Sequence, residues 1–154
     1  VICEDDVLFP DDFEVIYNAI KSFISEKSSW DIYSGLLANL HSDTKIISIE
    51  SKGSDVYIQI DKIISMVFNI YNTRVFDVFA KWNENNRDPA TNTIDRFIEN
   101  HRDLTIFTSP VFLVGHKEEL HSTLWGFNNK SYKRMISESQ RLLGQKLIEY
   151  SLNS

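Results

Sequence analysis

The sequence predicts an α/β layered fold. Two patterns carry this. Short apolar, β-prone runs alternate along the chain with segments whose apolar residues recur at helical spacing. Two of those runs are joined by a turn containing glycine, the signal of a hairpin. With 154 residues the chain is long enough for one domain with a sizeable core. The expectation is a single domain over residues 1–154, a mixed sheet with flanking helices.

The first element is Val1-Ile2-Cys3, read as a buried strand inside the sheet, which makes Cys3 a buried, inert thiol. Glu4-Asp5-Asp6 follows it, three carboxylates at a strand end. Pro10, Asp11 and Asp12 then open a helix over residues 11–27, with acidic side chains favoured by its dipole. Phe13, Ile16, Tyr17, Ile20, Phe23 and Ile24 form its apolar face. Residues 30–37 read as a short strand running into a loop. Residues 45–50 and 56–61 pair as a hairpin across Lys52-Gly53-Ser54-Asp55. Residues 63–71 are a further strand. Asn72 and Thr73 cap a helix carrying Val75, Phe76, Phe79 and Trp82, with Trp82 in the core.

Residues 83–92 are polar and read as an exposed loop. Asn92-Thr93-Ile94-Asp95 opens a short helix through Asn100. Residues 104–114 form a strand broken at Ser109-Pro110, and 115–129 a loop with two histidines and Trp125. The last helix runs over 129–152, its apolar face made by Tyr132, Met135, Ile136, Leu142, Leu143, Leu147 and Ile148.

The net charge of −6 argues against nucleic-acid binding through a broad basic surface and is compatible with a metal site. A single cysteine excludes an intramolecular disulfide. No apolar run approaches a membrane span and no signal peptide is visible. A cytoplasmic location, at or near a membrane face, is the expectation. The oligomeric state is not legible.

The acidic triplet has two readings. One is a solvated turn beside a helix start. The other is a cation site, because adjacent carboxylates repel unless a cation lies between them, and hard oxygen ligands suit Mg²⁺ or Mn²⁺. Carboxyl ends of strands are where open α/β sheets place ligands.

Several segments occur in the order seen in one family. Cys3-Glu4-Asp5-Asp6-Val7, Trp30-Asp31-Ile32, 66–72, Thr93-Ile94-Asp95-Arg96-Phe97, Ser109-Pro110-Val111-Phe112-Leu113-Val114-Gly115-His116 and 121–126 resemble successive segments of the lipooligosaccharide-biosynthesis glycosyltransferases. That family also contains the collagen galactosyltransferases. The resemblance spans roughly residues 1–126. It implies a GT-A-like fold whose amino-terminal nucleotide-binding half lies outside this sequence. It implies transfer of a hexose, galactose or glucose, from a nucleotide sugar such as a UDP-hexose to a saccharide or glycan acceptor, with Mn²⁺ or Mg²⁺ as cofactor.

The resemblance also assigns roles. Asp6 and Glu4 become metal ligands, with Glu4 and Asp5 near the nucleotide. Asp95 becomes the general base on the acceptor hydroxyl, against a reading as partner of Asn92 in a helix cap. Asp31 becomes an acceptor contact, against a structural hydrogen bond. Trp125 becomes a stacking surface for the donor. His116 stands where the family usually has Gln, and is a metal ligand only by fold-level analogy. Two rival readings remain: a degenerate, non-catalytic transferase-like binding module, and a metal-dependent hydrolase, which lacks a second acidic cluster.

Overall fold

Tyr33 and Ile32 show how the chain builds two cores at once. They are neighbours on a strand, so their side chains leave opposite faces of the sheet. Both are fully buried, each in a different apolar cluster. The computed structural model describes residues 1–63, 65–101, 103–117 and 130–153. Its strands are β1 (Ile2–Cys3), β2 (Val7–Leu8), β3 (Ile32–Ser34), β4 (Ile46–Lys52), β5 (Asp55–Ile60), β6 (Phe68–Tyr71), β7 (Ile106–Thr108) and β8 (Gly115–His116). Its helices are α1 (Phe13–Ser25), a 3₁₀ turn (Thr73–Val75), α2 (Phe76–Phe79), α3 (Pro89–Asn92), α4 (Ile94–Glu99) and α5 (Lys130–Asn153).

Six strands form one sheet in the order β1-β6-β3-β7-β5-β4, and β2 with β8 forms a separate ribbon. Only β3 and β7 run parallel; the other pairings of the described residues are antiparallel. The fold is therefore mixed α/β. On one face α1 lays Ile20, Phe23 and Ile24 against Tyr33, Tyr57, Phe68 and Phe107. On the other, Ile98 of α4 and Leu143 of α5 cover Ile32, Ile58, Ile60 and Ile106. α5 is also held by polar contacts. Ser139 Oγ, itself buried, accepts the Leu40 N–H at 2.9 Å and donates to the Ala38 carbonyl at 3.2 Å.

The hairpin forms as expected, with Gly53 at φ 63°, a conformation glycine adopts without penalty. Gly35 is needed for a different reason. A Cβ there would stand 2.7 Å from Phe68 Cδ1, so the chain crosses the Phe68 ring only without one.

Three expectations are corrected. Among the described residues β1 is not inside the sheet; it is an edge strand with β6 as its neighbour, and Val1, Ile2 and Cys3 are exposed. An apolar run of three residues reads alike at an edge and at a centre, because composition carries no information on what lies beyond it. Trp82 is exposed rather than core, its indole N–H donating to the Asn92 carbonyl at 3.0 Å. The stretch 83–92 is a loop only to its middle, since α3 occupies its end.

Candidate functional site

The acidic triplet follows β1 directly. Cys3 pairs with Phe68, and the Glu4 N–H still reaches the Val67 carbonyl at 3.0 Å, so the ladder ends at Glu4. Asp5 and Asp6 make the turn into β2. β1 and β3 both run antiparallel to β6, with Ile2 and Ser34 both opposite Asn69. The triplet therefore lies at the same end of the sheet as the carboxyl end of β3. The ribbon β2–β8 separates it from α1, whose N-cap is Asp12. The triplet is not the cap of that helix.

β8 delivers the histidine. Val7 pairs with His116 in the ribbon, which sets His116 Nε2 2.9 Å from Asp6 Oδ2. The His116 side chain is only 5% exposed and that of Asp6 18%. The His116 ring also lies 5.2 Å from the ring of Tyr132 on α5. The following residue, Lys117, fixes the turn itself. Its N–H donates to the Asp6 carbonyl at 2.8 Å and its ammonium to the Asp5 carbonyl at 3.0 Å.

α4 delivers Asp95. Thr93 is its N-cap, so Asp95 stands in the first turn, where the helix dipole favours a carboxylate. Its Oδ1 accepts the Arg96 N–H at 2.9 Å. Asn92 is not the cap; its amide donates to the Asn83 and Asn86 carbonyls and ties down the preceding loop. The cap pair expected between Asn92 and Asp95 does not form.

Glu4 registers this gathering of charge. Partial burial, and then the charges of Asp6, Asp95 and Asp5 in that order, push its carboxyl from 4.5 up to about 7. Glu4 keeps surface in solvent, which screens part of the repulsion. Tyr71 lies on the same side. Burial first, with the Glu4 charge adding, raises its phenol to about 12. Its hydroxyl receives a hydrogen bond from Asn69 Nδ2 at 3.0 Å.

A stability effect follows with a defined sign. A raised carboxyl holds its proton in the folded state between pH 4.5 and about 7, while the unfolded chain has lost it. The folded state then binds more protons, so stability falls as pH rises across that window. Glu4→Gln removes the charge. The expected result is a smaller decline in melting temperature between pH 4.5 and 7.5 than in the parent. An identical decline in both proteins would show that Glu4 is not under this strain.

Asp31 is placed apart from this group. It sits at the amino end of β3, the opposite end from the triplet, and is 3% exposed. Arg74 meets both its oxygens, at 2.9 and 3.3 Å, and the Thr105 N–H donates to Oδ2 at 2.8 Å. Trp125 and His121 lie outside the described residues.

Sequence reasoning thus singled out Glu4, Asp5, Asp6, Asp95 and His116, and the fold brings those five to one end of the molecule. It missed Lys117, Tyr71 and Asn69. Asn69 had a signal: a carboxamide inside an apolar strand run is buried and needs partners. Its Oδ1 is buried with no hydrogen-bond partner among the described residues.

Asp6 and His116 meet as a pair, 2.9 Å apart. Among the described residues no group of three His, Cys, Asp or Glu side chains could hold a metal ion. No family model, curated protein or solved structure matches this chain. No helix among the described residues is long and apolar enough to cross a membrane.

Proposed function

We propose that this chain is a GT-A-like glycosyltransferase domain that transfers a hexose, galactose or glucose, from a UDP-sugar to a saccharide or glycan acceptor with the help of Mn²⁺ or Mg²⁺. The observation that carries the reading is one of placement. Residues from three separate elements, Glu4-Asp5-Asp6 after β1, Asp95 on α4 and His116 on β8, meet at the carboxyl end of β1. The order of segments along the chain supports it.

Each residue then has a task. Asp6, with His116 beside it, holds the cation, which when bound stabilises charge on the departing diphosphate as a Lewis acid. Glu4 faces the ribose or a metal-bound water. Lys117 keeps the turn in shape through the Asp5 and Asp6 carbonyls. Asp95 accepts the proton of the acceptor hydroxyl as it attacks. Asp31 keeps Arg74 and the start of β3 in place and takes no part in transfer.

A second reading, a non-catalytic binding module of transferase-like build, draws on one observation. Asp6 and His116 already satisfy each other at 2.9 Å. Calorimetry with Mn²⁺ and UDP on the longest form of the polypeptide separates the two, since UDP binding by residues 1–154 alone is expected to be weak or absent. The expected result is binding by the parent and a loss of more than about tenfold in Asp6→Asn, since even outer-shell changes cost that much. Equal affinity in both proteins would remove the metal role of Asp6. Absence of binding in the parent would favour the non-catalytic module.

A further inference from the structure

Away from the acidic triplet, a second charged cluster joins three elements. His41 and Asp43 belong to the loop between β3 and β4, Lys62 follows β5, and Arg96 and Glu99 lie on α4. His41 Nδ1 stands 3.5 Å from Glu99 Oε1 and 3.9 Å from Asp43 Oδ1. The buried Lys62 ammonium pairs with the same Asp43 oxygen, and Arg96 Nη1 donates to Glu99 Oε2 at 3.0 Å.

We infer that His41 is the positioning residue for Asp95, acting through Glu99. α4 is short. Six residues cannot hold a helix in water, so its direction is set by what it touches. Ile94 and Ile98, on one stripe of α4, pack on the core and set its distance from the sheet and its broad rotation. Apolar contact is non-directional and leaves the fine rotation about the helix axis to polar contacts. Glu99 supplies such a contact. It is four residues beyond Asp95, so the two carboxylates lie on one stripe of the helix, a turn apart. Holding Glu99 fixes where Asp95 points. The holder is itself anchored. The neighbouring Leu40 N–H and Ala38 carbonyl are clamped by Ser139 of α5, and the His41 carbonyl accepts the Thr44 N–H at 3.1 Å. The path runs from α5 through the loop to His41, Glu99 and Asp95.

The kinetic consequence rests on the proposed role of Asp95; the positional one does not. The Arg96 N–H, bound to Asp95 Oδ1 at 2.9 Å, reports the direction of that carboxylate. In His41→Ala the Arg96 amide proton resonance is expected to move, with the amides of β3 unchanged, and His41→Lys, which places a hydrogen-bond donor facing Glu99, is expected to restore it. A misplacement of about 1 Å costs up to ~10²-fold in rate. The expected fall in kcat is therefore about tenfold in His41→Ala, with KM for the nucleotide sugar unmoved. An Arg96 resonance unchanged in His41→Ala overturns the inference. A moved resonance with an unchanged transfer rate supports the positioning and removes the catalytic role of Asp95 instead.

Discussion

Phe23→Ala is expected to lower the stability of the domain by about 3–5 kcal/mol, the range for removing a buried phenylalanine. Phe23 is 3% exposed and joins α1 to the sheet through two rings at once. It stacks on Tyr57, centroids 3.7 Å apart and planes at 6°, and meets Phe107 edge-on at 5.2 Å. The Lys27 ammonium lies 4.5 Å over the same ring. Ring pairs of this kind contribute about 0.5–1.5 kcal/mol beyond the area they bury. Because Tyr57 and Phe107 stand on different, adjacent strands, the sheet cannot close on the gap without breaking its own ladder. A domain stability of about 5–15 kcal/mol makes this a large fraction of the whole. Urea unfolding should show a lower midpoint with an unchanged slope. Phe23→Leu, which refills part of the space, should lose less. A loss below about 1 kcal/mol in Phe23→Ala would mean that α1 does not pack on the sheet through this residue.

The helical face that places Phe23 was legible in the sequence, because α1 repeats apolar residues at a single period from Phe13 to Ile24. The β4–β5 hairpin was legible for a similar reason: Gly53 marks the turn and the flanking runs are long. Sheet order was not. β3 and β7 become parallel neighbours although more than seventy residues separate them, and nothing local in either strand names the other. The acidic triplet was read correctly as the end of a strand. Its strand was misplaced, because Val1-Ile2-Cys3 is apolar enough for a centre and yet lies at an edge. Asp95 could be named from the order of segments, and His116 only by fold-level analogy. Their meeting with Glu4 and Asp6 is a property of the β2–β8 ribbon and of α4, both too short to announce themselves by periodicity.

Asp31 and Asp95 show what local sequence cannot decide. Each is an aspartate at the start of a regular element, with an apolar residue beside it. Asp31 is enclosed and its oxygens are taken by Arg74 and the Thr105 N–H, which makes it a brace. Asp95 adds its charge to a group of carboxylates that already repel one another. Like charges gathered from separate elements oppose folding, and such gatherings cluster at functional sites. On the proposed reading, that contrast favours Asp95 over Asp31 as the base.

Asp95→Asn is accordingly expected to reduce sugar transfer by at least about a hundredfold, the lower end of what general base catalysis contributes. Stability should hardly change. The substitution removes a favourable carboxylate from the first turn of α4, an effect of about 0.3–1 kcal/mol. It also removes one of the charges that crowd Glu4, which acts in the opposite direction. The Asn side-chain oxygen can still accept the Arg96 N–H, so the helix start keeps its bond. Asn cannot take the proton of an acceptor hydroxyl. Affinity for Mn²⁺ and UDP should remain, because the base acts on the acceptor and not on the diphosphate. The measurements are turnover with a UDP-hexose, melting temperature and calorimetry on one preparation of the longest form of the polypeptide. Turnover lost with melting and UDP affinity retained supports Asp95 as the base. Transfer at the parental rate would make Asp95 a helix-start residue only, and the base would then have to be sought elsewhere around the triplet.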